Sequence, residues 1–167
     1  MNIFVTDPDP VESAKALDDL RLNKMIIESV QMLTVALATH GCPSSEIPIK
    51  KDGTPFKDSG WVNHPCTVWV KSSKSNYNWL VEHTVALINE MQARTGTLHS
   101  ASQNIPRLIS GAQYIPEHGL YKFANCSMYG QNTDADIVLC YRNTMKTKWV
   151  TDKRPPKWTN ASKPTWA

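Results

Sequence analysis

Two stretches, residues 10–39 and 64–94, place apolar side chains at helical spacing for about thirty residues each, and this constrains the fold more than anything else in the chain. A strand is usually about five or six residues long, so runs of this length belong to helices. The expected fold class is therefore all-α: one domain over residues 1–167, built on two long helices plus shorter ones. At 167 residues with 41% hydrophobic and 20% charged residues, the chain can bury one core and is not disordered by composition.

Asp9-Pro10-Val11-Glu12 opens the first helix. Asp9 suits the N-cap, Pro10 the first helical position, and Glu12 the place where a capping box wants a carboxylate. The helix is expected from Pro10 to Thr39, ending at Gly41. Residues 41–63 read as a long loop. His64-Pro65 opens the second helix, which reaches Arg94 and stops at Thr95-Gly96. Residues 100–111 are helix-like but short or kinked, because Pro106 interrupts them. Residues 112–132 read as irregular, and Thr133-Asp134 starts a third helix running to Lys148. Ile3-Phe4-Val5 is a short strand or an apolar anchor, and residues 146–167 are a tail packed on the surface.

On the first helix, at about 100° per residue, Arg21, Lys24, Glu28 and Gln31 fall in one narrow sector. Leu17 and Val35 close that sector at its two ends, so the charges form an island and not a solvated stripe. A plain surface ion pair between Lys24 and Glu28 is the simpler alternative. A partly desolvated carboxylate beside two cations suits proton transfer or nucleophilic catalysis. The second helix shows a mixed face of Trp69, Ser72, Asn76, Trp79, His83 and Glu90. Such a face can hold a flipped base or a single strand, or the indoles and His83 can simply be core.

Net charge is +3, yet residues 141–167 alone carry seven basic residues and one acid, which leaves −3 on residues 1–140. Lys148-Trp149, Lys153-Arg154 and Lys157-Trp158 interleave cations with indoles, the footprint of a polyanion-binding edge or of a tail pinned by its tryptophans. Cys42, Cys66, Cys126 and Cys140 lack CxxC spacing, and the five histidines lack HxxxH or HExxH spacing. No disulfide framework, metal or cofactor is expected on those grounds. With no basic leader and no membrane-length apolar run, the reading is a cytoplasmic protein.

LDDLRLNKMIIESVQML (residues 17–33), HPCTVWVKSSKSNYNWLVEH (64–83) and DADIVLCYRNTM (134–145) resemble the phage and bacterial proteins classed with the pyrimidine-dimer DNA glycosylases, the endonuclease V type of T-even phage. The likeness to the characterised enzymes rests mainly on the first helix and the basic, Trp-containing end. The resemblance implies a helical domain that binds duplex DNA, flips a base, cleaves the glycosidic bond and acts as an AP lyase through an amine. Its glutamate falls on Glu28. Its nucleophile is the amine of a threonine exposed by removal of the initiator Met, whereas residue 2 here is Asn, and the arginines that flank its glutamate are not reproduced, with Ile27 and Gln31 nearby instead. Lys24 could supply the amine instead. Arg21 and Arg142 are then expected to contact phosphate or orient Glu28. Ser72, Asn76, Trp79 and His83 would line the base pocket, and Lys148, Lys153, Arg154 and Lys157 would follow the DNA backbone. A non-catalytic phage DNA-binding or inhibitory protein, and a base- or nucleotide-modifying enzyme acting on free substrate, remain the competing readings.

Overall fold

The structure is a computed structural model that describes residues 1–129 and 136–167. It is all-helical, with six α-helices and no strand among the described residues. They are α1 (Pro10–Lys15), α2 (Asp19–Thr39), α3 (Pro65–Ser72), α4 (Lys74–Thr95), α5 (Ile105–Gly111) and α6 (Ile137–Thr151). The two long helices, α2 and α4, pack on each other; α1 lies on α4, and α3 fits against both. Leu22, Met25, Ile26, Leu33 and Leu37 of α2 meet Tyr77, Leu80 and Leu87 of α4 in one continuous core.

Both long helices expected from the sequence are broken once. The first stops at Lys15 and restarts at Asp19. Asp18 takes an extended backbone and accepts hydrogen bonds from the Leu20 and Arg21 amides, which makes it the N-cap of α2. The break strands three consecutive carbonyls, and two side chains from distant elements satisfy them. Arg94 donates to Lys15 O at 2.9 Å and to Leu17 O at 2.8 Å, and the Trp158 indole donates to Ala16 O at 3.2 Å. Periodicity alone cannot register such a break, because the residues that hold it open lie more than seventy positions away. The second helix breaks at Ser73, whose extended backbone ends α3 and whose hydroxyl caps α4 by accepting from the Asn76 amide.

Other boundaries match local chemistry. Asp9 accepts from the Val11 and Glu12 amides, with Pro10 in the first turn. Gly96 ends α4 in the left-handed region at φ 73°. Residues 100–111 divide into a 3₁₀ turn and α5, with Pro106 in the first turn of α5. The expected helix start at Thr133-Asp134 lies outside the described residues; Asp136 caps α6 by accepting from the Leu139 amide. Ile3-Phe4-Val5 is a buried apolar anchor, not a strand. Within the 41–63 loop a small antiparallel turn forms at Ile49 and Pro55, and the Asn104 side chain clamps it through both Ile49 N and Ile49 O. Among the described residues, no helix is long and apolar enough to cross a membrane.

Candidate active site

Glu28 sits on α2 with its side chain 16% exposed, and the beginning of the chain lies on it. The Met1 α-amine is 3.8 Å from Glu28 Oε2, and the Asn2 backbone N–H donates to the same oxygen at 2.8 Å. Lys24, one turn earlier and 67% exposed, stands 3.5 Å from the other carboxylate oxygen. The terminal residues are fixed in this position. Ile3, Phe4 and Val5 are buried in the core. Asn2 Oδ1 accepts from the Ile3 and Phe4 amides, and Asn2 Nδ2 donates to Cys126 O at 3.1 Å. The Met1 side chain is itself mostly buried, with its sulfur accepting from the Thr67 hydroxyl. Phe4 has φ 55°, a left-handed conformation that lets the chain turn into the core immediately after the site.

His64 adjoins the pair. It is the N-cap of α3, with Nδ1 accepting from the Cys66 amide. Burial and the positive terminal amine hold its pKa below the ordinary histidine value, against the opposing pull of Glu28. The Trp61 ring meets the His64 ring edge-on at 6.0 Å and is 62% exposed, with φ 65° at its backbone. An exposed indole held in a strained conformation against His64 is a ready stacking platform. Cys66 and Cys126 complete the surroundings, with sulfurs 3.5 Å apart. Cys66 Sγ donates to Cys126 Sγ, and this hydrogen bond pushes the Cys126 thiol below its ordinary value and raises that of Cys66.

The other residues singled out in the sequence lie elsewhere. The Arg21 guanidinium is buried between Asp18, at 2.8 Å, and Asp152, and so fastens the end of α6 to the start of α2. It does not turn toward Glu28, which lies two helical turns further on. Gln31 donates to Lys57 O in the loop. Asn76, Trp79 and His83 are buried and bonded within the chain. Asn76 donates to Trp69 O and accepts from the Tyr121 amide, Trp79 donates to Pro8 O at 2.7 Å, and His83 Nδ1 is 2.8 Å from Pro10 O. Ser72 donates to Trp69 O and accepts from Asn76. Trp79 and His83 form an aromatic layer with Trp69 and Phe123.

Arg142 donates to Thr6 O and Asp7, with its guanidinium over the Trp166 ring. In the tail, Trp149 donates to Asp18 and stacks on Trp166, and Trp158 packs edge-on to Trp149. The indoles thus hold the tail down, while Lys153, Arg154 and Lys157 remain exposed and Lys148 is half-buried. Arg154 and Lys157 border an open groove of about 480 Å³ beside the start of α2.

Sequence reasoning singled out Glu28 but not Trp61, His64 or the cysteine pair. Only His64-Pro65 carried a local signal, and that signal was a helix start. Residues 1–104 match the family model for pyrimidine dimer DNA glycosylase. No curated protein and no solved structure matches the chain.

Proposed function

Because the chain belongs to the pyrimidine dimer DNA glycosylase family, we propose that it excises damaged or modified pyrimidines from duplex DNA and then cleaves the abasic strand. The observation that carries this reading is the terminal amine seated against Glu28. With Met1 retained the amine is 3.8 Å from the carboxylate; with Met1 removed it becomes the Asn2 nitrogen, 2.8 Å away. The larger residue at position 2 therefore does not carry the amine out of reach.

The chemistry follows from that pair. As the free base, the amine attacks C1′ of the target nucleoside, and the base departs with the glycosidic electron pair. The amine nitrogen loses protons as the sugar ring opens, leaving a Schiff base, and Glu28 exchanges those protons and stabilises the positive charge that develops on the sugar. Removal of a C2′ proton then expels the 3′-phosphate by β-elimination, and water releases the amine. Lys24 is near enough to steady the Glu28 carboxylate or contact an adjacent phosphate, and it is the second amine in reach. Trp61 supplies the stacking surface for the displaced base or the gap it leaves. Lys148, Lys153, Arg154 and Lys157 follow the phosphates. Ser72, Asn76, Trp79 and His83 serve as the packed layer behind the site, and Arg21 and Arg142 as clamps.

The test is incubation with duplex oligonucleotides carrying a pyrimidine dimer or other modified pyrimidines, scored for scission with and without alkali. Borohydride trapping and peptide mapping then locate the adduct. The expected adduct is on the amino-terminal peptide, and Glu28→Gln should lower turnover by at least about 100-fold while duplex binding persists. An adduct on Lys24 would overturn the assignment of the amine. Salt-dependent binding with no abasic product on any substrate would overturn the enzymatic reading in favour of a DNA-binding protein.

A further inference from the structure

His64 and Cys66 lie at the start of α3, and Cys126 comes from the segment before α6, sixty residues later. The fold brings one donor atom from each to within 4.8 Å of the others. Two thiols and an imidazole are soft to borderline donors, the set that selects zinc-class ions over magnesium or calcium. We propose that His64, Cys66 and Cys126 form a zinc-class metal site with three protein ligands.

The spacing supports this. In a tetrahedral site with metal–sulfur bonds of about 2.3 Å, two thiolates stand about 3.8 Å apart. The Cys66 and Cys126 sulfurs are 3.5 Å apart, so they need to separate only slightly to share an ion. A disulfide, with sulfurs at about 2.05 Å, would require them to close by about 1.5 Å. The segment that carries Cys126 is held in place by Tyr141, whose hydroxyl donates to Ala124 O while accepting from the Cys126 amide. Cys66 is fully buried, whereas His64 and Cys126 are half-buried, so an ion can enter from their side. The ring nitrogen that binds the ion would exchange its weak 3.3 Å cap contact with the Cys66 amide for a metal bond, or would turn to present the other nitrogen. Three protein ligands and one open position is the arrangement of a reactive or exchangeable site, not a closed structural one.

The test uses the full chain, purified under reducing conditions, stripped with chelator and titrated with Co²⁺ and then Zn²⁺. The expected result is one ion per chain, a thiolate-to-cobalt charge-transfer band, and displacement of cobalt by zinc. Cys126→Ser and His64→Asn should each weaken binding by at least about 10-fold. Asn keeps an N-cap acceptor for α3 while removing the imidazole, and unchanged circular dichroism confirms that both variants fold. Cys140→Ala should bind as the unaltered chain does. Absence of the charge-transfer band, equal binding by Cys126→Ser, or recovery of the reduced preparation only as a Cys66–Cys126 disulfide two hydrogens lighter would overturn the proposal. Metal uptake is read without DNA, so its failure leaves the glycosylase reading standing.

Discussion

His83 should make the fold acid-sensitive, and the size of the effect follows from its surroundings. The ring is fully buried on α4, stacked on Trp79 at 5.1 Å. Nδ1–H donates to Pro10 O, and Nε2 has no hydrogen-bond partner among the described residues. Protonation would place a second N–H, and a full charge, where nothing can accept them. Burial therefore lowers the pKa to about 4 from an ordinary 6.5, only partly opposed by the Pro10 carbonyl. The unfolded chain takes up this proton below about pH 6.5, while the folded chain resists it down to about 4. The stability conferred by the neutral ring is thus complete above pH 6.5 and is lost as pH falls toward 4. At about 1.4 kcal/mol per pKa unit the full loss approaches ~3 kcal/mol, with about 2 kcal/mol gone by pH 5. The assay is urea unfolding followed by tryptophan fluorescence at pH 7, 6, 5 and 4.5, for the unaltered chain and for His83→Gln. Burial also lowers the pKa of His64 and of His99, so the informative quantity is the difference between the two proteins. The Gln side chain can still donate to Pro10 O but cannot titrate, so the two curves should converge as pH falls. Parallel curves would refute the account and return His83 to the solvent-accessible base pocket expected from the sequence.

Arg94 is 2% exposed and holds Lys15 O, Leu17 O, Asp19 and Glu90 at once. Arg94→Met should cost about 3–5 kcal/mol in chemical denaturation, because it leaves stranded carbonyls at the α1–α2 break; a loss under 1 kcal/mol would deny the clamp its role. A Cβ on Gly111 would sit 2.5 Å from Leu37 Cδ2 and 3.1 Å from the Tyr77 hydroxyl. Leu37 is fully buried and has little room to move, so Gly111→Ala should destabilise by about 1–3 kcal/mol in the same assay. Replacing Lys153, Arg154 and Lys157 together by Ala should weaken duplex binding and reduce the log–log salt slope by up to about three in fluorescence anisotropy. An unchanged slope would remove the tail from the DNA interface.

The all-helical fold was legible because apolar periodicity and capping chemistry are local. Asp9, Pro10 and Gly96 did in the structure what their types favour in any chain. The breaks at residues 16–18 and at Ser73 were not legible, since they depend on partners such as Arg94 and Trp158 that only the tertiary fold delivers. The candidate site divides the same way. Glu28 stood out because it interrupts an apolar helix face. Trp61 and Cys126 carry no local pattern, and Cys126 meets the site only once the chain start has been folded onto α2. Helical spacing placed Trp79 and His83 among plausible base-binding residues, but it cannot tell an indole that faces solvent from one whose N–H already serves a backbone carbonyl.

Hydrogen bonds tie the first residues of the chain to its last third: Asn2 to Cys126, Thr6 to Arg142, Asp18 to Trp149 and Ala16 to Trp158, across 124 to 142 positions. Contacts of that span are entropically slow to close and cannot form until residues 126–158 have left the ribosome. The segment that bears the terminal amine is therefore not tied down by these bonds until those residues have been made. A product truncated after residue 104 would contain the whole family-matching segment yet lack Arg142, Trp149 and Trp158. Such a fragment should behave as an aggregation-prone intermediate and not as a minimal enzyme.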